Sequence, residues 1–292
     1  GTDEYAQKYA QLLSVSFASI KQYYDEKYDR SNFIKNVILD NILPGDIYLK
    51  ARELHFNSEV SRVCLLIKIV SKTDVSAYDI IQNLFPDKQM DFVISINETD
   101  VALIKQLPEG ADAKELQRIA KQIATAVTQE LGIKVVIGIG TVVNHIRDLA
   151  RAYKEAGVAI DVGKVFDTEK TVINYENLGI GRLIYQLPTI LCQMFLQEVF
   201  KKNPIDALDQ ETLLTINKFF ENNLNVSETA RKLFVHRNTL VYRLEKIKKL
   251  TGLDLREFDD AITFKVALMV KKYLTSRVTV SYTHLTLPTT PY

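Results

Sequence analysis

The spacing of apolar residues changes along this chain, and each change predicts a different element. In residues 3–42, Tyr5, Tyr9, Leu12, Leu13, Phe17, Ile20 and Tyr24 step by three and four. Phe33, Val37, Ile38 and Ile42 continue the stripe until Pro44-Gly45 interrupts it. That periodicity predicts one long amphipathic helix. Such a helix cannot bury its stripe on itself, so it must pack on the following domain or on a second copy of the chain. The expectation is a helical linker over 1–48 that dimerises.

From 49 to 175 the pattern alternates between short apolar runs and helical stripes. Val63 to Val70 (VCLLIKIV) is a near-continuous apolar run suited to a strand covered on both faces. Ala77 to Leu84 reads as a helix stopped by Pro86. Asp91 to Ile96 and Val101 to Gln106 read as strands joined by the polar turn Asn97-Glu98-Thr99-Asp100. Lys114 to Leu131 is an amphipathic helix with Leu116, Ile119, Ile123, Ala126 and Val127 inward. Val135 to Val143 is a strand, Arg147 to Val162 a helix, and Val172 to Tyr175 a short closing strand. Gly138-Ile139-Gly140 lies inside a strand without the spacing of a phosphate loop, so close packing is its expected role.

Residues 176–275 read as all-helical. Leu183 to Phe200 is apolar on nearly every side and is split by Pro188, which predicts burial. Asp209 to Asn222 is amphipathic. Asp254 to Leu274 carries Phe258, Ile262, Phe264, Val266 and Leu268 to Val270 as core candidates. Between them, Asn225 to Gly252 reads as two helices joined by a tight turn. Ser227 is the expected N-cap of the first, which runs to Leu233. Phe234-Val235-His236 forms the turn, and the second helix runs from Arg237 to about Leu250, with Gly252 as its stop. Leu240, Leu244 and Ile247 form its buried stripe. Asn238, Thr239, Tyr242, Lys246 and Lys249 fall on the opposite side, a surface suited to phosphates and base edges.

Charge sharpens this picture. Ser227 to Lys249 contains seven Lys/Arg against two acids, while the whole chain carries a net charge of only +1. A basic island on a neutral protein indicates a localised polyanionic partner, and double-stranded DNA fits a helix-turn-helix whose first helix carries the small Ala230 at the crossing. Arg237, Asn238, Thr239 and Tyr242 are the candidates for base or adjacent backbone contacts. Ser227, His236, Arg243, Lys246 and Lys249 are the candidates for phosphate contacts, with His236 also placed to cap the recognition helix.

The 292 residues suffice for two cores, and the 47% hydrophobic and 25% charged shares are ordinary for a soluble protein. There is no apolar run long enough for a transmembrane helix and no visible signal peptide. The chain begins at Gly1 rather than Met, which leaves room for an upstream portion. Cys64 and Cys192 sit in apolar runs, as expected of buried reduced thiols in the cytoplasm. The histidines His55, His145, His236 and His284 lack metal-ligand spacing, and neither a cofactor nor a catalytic triad is expected. The threonine- and proline-rich tail 276–292 reads as a vector-derived extension, or as an added strand if ordered.

The run His-Arg-Asn-Thr-Leu-Val-Tyr-Arg-Leu (236–244), followed by Leu-Thr-Gly-Leu-Asp-Leu (250–255), resembles the C-terminal helix-turn-helix of the PucR/CdaR family of bacterial regulators of purine catabolism and sugar-diacid use. Phe234 departs from the general motif, where a turn glycine is common. The resemblance extends more loosely back to about Asp29. It implies a middle domain over 49–175 similar to a GGDEF or nucleotide-cyclase domain, and a sugar-diacid effector sensed by an upstream domain. A diguanylate cyclase would need metal-binding carboxylates and glycines close to the nucleotide. Here the hairpin turn is Asn97-Glu98-Thr99-Asp100, and Ser71-Lys72-Thr73 follows the first strand. The expected whole is therefore an α+β multidomain protein: linker helix, non-catalytic GGDEF-like α/β domain, and all-α helix-turn-helix domain. Its expected function is that of a homodimeric DNA-binding regulator. The alternatives are a nucleotide-binding or cyclase-like signalling protein and a module that binds a small molecule or protein through its helix-turn-helix surface.

Overall fold

The computed structural model describes residues 4–69, 77–87, 89–108, 110–200, 205 and 208–283. These residues divide between two compact units, Gly1–Leu178 and Gly179–Tyr292. Ser71, Lys72 and Thr73 lie outside the described residues, as do the side chains of Ile20 and Tyr24.

The first unit begins with α1 (Glu4–Ile38) and α2 (Pro44–Glu53). The predicted single helix over 3–42 is thus corrected. It ends at Ile38, Asp40 takes a left-handed φ of 62°, and Pro44 opens a new helix, where its missing N–H costs nothing. The sheet contains β1 (Arg62–Ile69), β2 (Phe92–Ser95), β3 (Asp100–Gln106), β4 (Val135–Ile139) and β5 (Val172–Asn174), in the order β2-β3-β1-β4-β5. β1 runs antiparallel to β3 and β4, and β4 runs parallel to β5. The predicted strand over 135–143 stops at Ile139, and Val143 returns only as an isolated bridge to Arg62.

The central position of β1 explains its unbroken apolar run. Val63, Leu65 and Ile67 face one core with α3 (Ala77–Leu84) and α4 (Ala113–Leu131). Cys64 and Leu66 face the opposite side, where the end of α1, α2 and α5 (Leu149–Phe166) pack. Gly138 and Gly140 let α5 lie directly on β4, since a Cβ would fall 2.0 Å from the Ala156 carbonyl oxygen and 2.1 Å from that of Ala152. Cys64 and Cys192 are both buried free thiols.

In the second unit, α6 (Ile180–Gln186) and α7 (Thr189–Val199) are separated at Pro188. Then follow α8 (Gln210–Glu221), α9 (Val226–Lys232), α10 (Arg237–Thr251) and α11 (Phe258–Thr283). Phe200, Ile216, Phe219, Leu240, Leu244, Ile247 and Phe264 form its core, with Phe200 and Phe264 edge-to-face at 5.4 Å.

Three expectations fail here. Leu183–Phe200 is not buried all round: Leu183, Ile190 and Met194 are exposed, because two short helices each offer only part of their surface to α11. Phe258 and Ile262 are also exposed, since the buried line of α11 runs through Ala261, Phe264, Ala267 and Val270 on the other side. The tail does not form a strand over 276–283. The helix propagates to Thr283, and Arg277 stacks over Tyr185 and Tyr273 at 4.9 and 5.3 Å from the ring centres. Residues 284–292, including His284, lie outside the described residues.

Candidate nucleic-acid interface

α9 begins two residues earlier than an N-cap at Ser227 would require. Its N-cap is Asn225, whose Oδ1 accepts the Glu228 N–H at 3.0 Å. Asn225 and Glu228 carry the N-cap-to-N3 spacing of a capping box, a signal already present in the sequence. Ser227 is instead an exposed residue in the first turn.

The turn closes without glycine. Phe234 takes φ 56°, and the Val235 N–H reaches the Ala230 carbonyl at 3.0 Å. This is the bonding of a helix end that a left-handed residue terminates, done here by a residue with a Cβ. The Phe234 ring is 96% exposed. His236 then caps α10, its Nδ1 accepting the Asn238 N–H at 3.3 Å. At the far end Gly252 takes φ 84° and donates to the Lys248 carbonyl at 2.8 Å.

α10 is held by its apolar stripe, with Leu240, Leu244 and Ile247 all at most 1% exposed. Burying each contributes about 1.5–3 kcal/mol. Ala230 and Thr229 are buried on α9, and the Thr229 hydroxyl donates to the Asn225 carbonyl at 2.7 Å, so α10 can cross closely. The opposite face leaves Arg237, Asn238, Thr239, Tyr242, Lys246 and Lys249 exposed, with His236 at their N-terminal edge.

Ion pairing separates the basic residues. Arg243 is half-buried against α8, with Nη2 2.5 Å from Glu211 Oε1 and Nη1 3.3 Å from Thr215 Oγ1. Lys246 stands 3.5 Å from Asp209, the N-cap of α8. Hydrogen bonds from Thr212 hold the Asp209 carboxyl below its ordinary pKa. Arg231 pairs with Glu228, and Lys248 with Asp254 at 3.1 Å. Lys232, Arg237 and Lys249 have no ion pair among the described residues. The sequence could place all these cations on one segment but could not separate the occupied from the available ones.

In the first unit, the β2–β3 turn closes on itself. Asn97 Oδ1 accepts from the Thr99 N–H at 2.9 Å, the Asp100 N–H at 2.8 Å and the Thr99 hydroxyl at 3.1 Å. Asp100 lies 3.6 Å from Lys68. Among the described residues no helix is long and apolar enough to cross a membrane.

Residues 212–270 match the model of the PucR C-terminal helix-turn-helix domain, and residues 41–162 match that of the GGDEF-like domain. The chain is 28% identical over 158 residues to the purine catabolism regulatory protein of Bacillus subtilis (strain 168), covering 53% of this chain and 29% of that protein. It is 30% identical over 161 residues to the carbohydrate diacid regulator of Escherichia coli (strain K12), covering 54% and 41% respectively. It is 28% identical over 160 residues to the proline-responsive transcriptional activator PutR of Bacillus subtilis (strain 168), covering 49% and 36%. The matches thus span less than half the length of these relatives. The chain thus carries a GGDEF-like domain over 41–162 and a PucR-type C-terminal helix-turn-helix domain over 212–270.

Proposed function

We propose that this chain is a sequence-specific DNA-binding transcriptional regulator. Its operon would be one for carbohydrate diacids or related catabolism, and its effector a small molecule sensed through an N-terminal region. The observation that carries the reading is the outward face of α10, where Arg237, Asn238, Thr239 and Tyr242 stand exposed while the reverse stripe is fully buried. In the major groove, these four reach base edges or the adjoining backbone, and Ser227, His236, Lys246 and Lys249 reach phosphates. Arg243 joins them only by exchanging Glu211 for a phosphate.

Two copies would set two α10 helices into successive grooves. The exposed Tyr5, Tyr9, Leu12, Leu13 and Phe17 of α1 support pairing through that helix. The GGDEF-like domain serves as a relay without turnover, and the β2–β3 turn, filled by the side chain of Asn97, supports this. A DNA regulator of this type works in the cytoplasm. The test is binding of the chain to DNA upstream of its own and neighbouring genes, at two salt concentrations, with a random-sequence duplex as control. Preferential, salt-sensitive binding is expected, and equal affinity for both duplexes would refute sequence specificity.

A further inference from the structure

The first unit contains a cleft of about 770 Å³ at the β5 edge of the sheet, between the first half of α4 and the end of α5. The two helices belong to opposite faces, so the cleft straddles the edge strand. β5 is three residues long, and Gly163 of α5 meets it closely: a Cβ there would fall 2.4 Å from Ile173 Cδ1.

The lining is basic. Lys114, Arg118 and Lys121 step by four and three along α4, on the side turned away from Leu116, Ile119 and Ile123. Lys170 adds a fourth cation. The one carboxylate among the described lining residues, Asp167, is paired with Lys170, and Arg118 is held by Glu115 through bonds of 2.9 and 2.6 Å. Lys114 and Lys121 have no ion pair among the described residues. Deeper in the lining lies Asn174, only 8% exposed. Its Oδ1 accepts the Glu176 N–H at 2.9 Å, while its Nδ2 has no hydrogen-bond partner among the described residues.

An unpartnered amide donor on a largely buried side chain, in one cleft with two ammonium groups that have no ion pair among the described residues, is an arrangement that takes an anion. The volume falls in the range of about 300–1,000 Å³ that small-molecule sites occupy. We propose that this cleft binds a small ligand bearing two or more carboxylate or phosphate groups, with Asn174 Nδ2, Lys114 and Lys121 as its donors. The site lies away from the β2–β3 hairpin, at the opposite edge of the sheet, and its existence does not depend on DNA recognition.

Calorimetric titration of the full chain with sodium pyrophosphate and with citrate, at matched ionic strength, tests it. Saturable binding of at least one probe is expected, with Kd of about 1 mM or tighter. The probe that binds more tightly distinguishes a phosphate from a carboxylate ligand. Lys114→Gln with Lys121→Gln should weaken binding about tenfold or more. Asn174→Asp should do the same, because it keeps the acceptor for the Glu176 N–H but removes the donor and adds a repelling charge. An unchanged thermal transition in each variant shows that the fold is intact. Absence of saturation by either probe up to about 10 mM, or binding that both variants leave unchanged, would overturn the proposal.

Discussion

Arg243 of α10 and Glu211 of α8 stand 2.5 Å apart, and the same guanidinium donates to Thr215 at 3.3 Å. The pair links α10 to α8 beside the apolar contacts of Leu240, Leu244 and Ile247. Glu211 is largely exposed, so the pair contributes at most about 1 kcal/mol to stability. Arg243→Gln should therefore lower the thermal midpoint by a few degrees. If Arg243 also exchanges partners on DNA, the variant will show a reduced salt slope of binding at temperatures well below its midpoint. An unchanged slope assigns it to positioning alone.

Lys249 has no competing carboxylate among the described residues, whereas Lys246 lies 3.5 Å from Asp209. Lys249→Ala should weaken binding to all duplexes alike and reduce the slope of log affinity against log salt by about 1. Lys246→Ala should act in the same direction but less, since the wild-type lysine is already partly neutralised. Affinity measured across a salt series separates the two. A larger effect at Lys246 would mean that its ion pair opens on DNA.

Phe234 holds a left-handed backbone at φ 56° with its ring in solvent. A Cβ in that conformation costs about 1–2 kcal/mol, and the ring buries little to offset it. Phe234→Gly relieves the strain but loosens the unfolded chain, leaving a net gain of up to about 1 kcal/mol. Chemical denaturation should show the variant at least as stable as wild type. A loss of stability would show that the ring has a packing role.

Asp254 lies buried just past the end of α10, where it accepts from Arg256 at 2.8 and 2.7 Å and from Lys248 at 3.1 Å. Hydrogen bonding to Arg256 chiefly holds its carboxyl well below the usual range. A carboxyl with a depressed folded pKa stabilises the fold fully above its unfolded pKa of about 4, and that contribution fades as pH falls toward the folded value. Asp254→Asn should thus be less stable than wild type at pH 6, with the difference shrinking below about pH 4. Thermal unfolding from pH 6 to pH 3 checks this. A difference that stays constant over the range would assign the effect to packing instead.

Much of the architecture was legible because period and burial coincide. The run at Val63–Val70 marked the central strand, and the stripe of Leu240, Leu244 and Ile247 became the buried side of α10. What failed depended on partners distant in sequence. The hydrophobicity of Leu183, Ile190 and Met194 says nothing about whether a neighbour exists to cover them, and they are exposed. Ser227 and Asn225 are comparable caps, and the choice followed from where the helix starts. Arg243 counts as one more positive charge until α8 brings Glu211 beside it. Lys114 and Asn174, sixty positions apart, meet at one cleft only through the β5 edge. Folding therefore decided which basic residues stay available, which composition alone could not do.

The central claim is that the outward face of α10 reads base sequence, and Asn238 tests it most directly. An amide paired with a base edge gives about 1–3 kcal/mol of discrimination. The decisive measurement is the ratio of affinities for an operator duplex and a random duplex, in wild type and in Asn238→Ala. The account predicts a ratio reduced about tenfold, with random-duplex affinity nearly unchanged. A ratio equal to that of wild type would contradict this placement of the recognition helix.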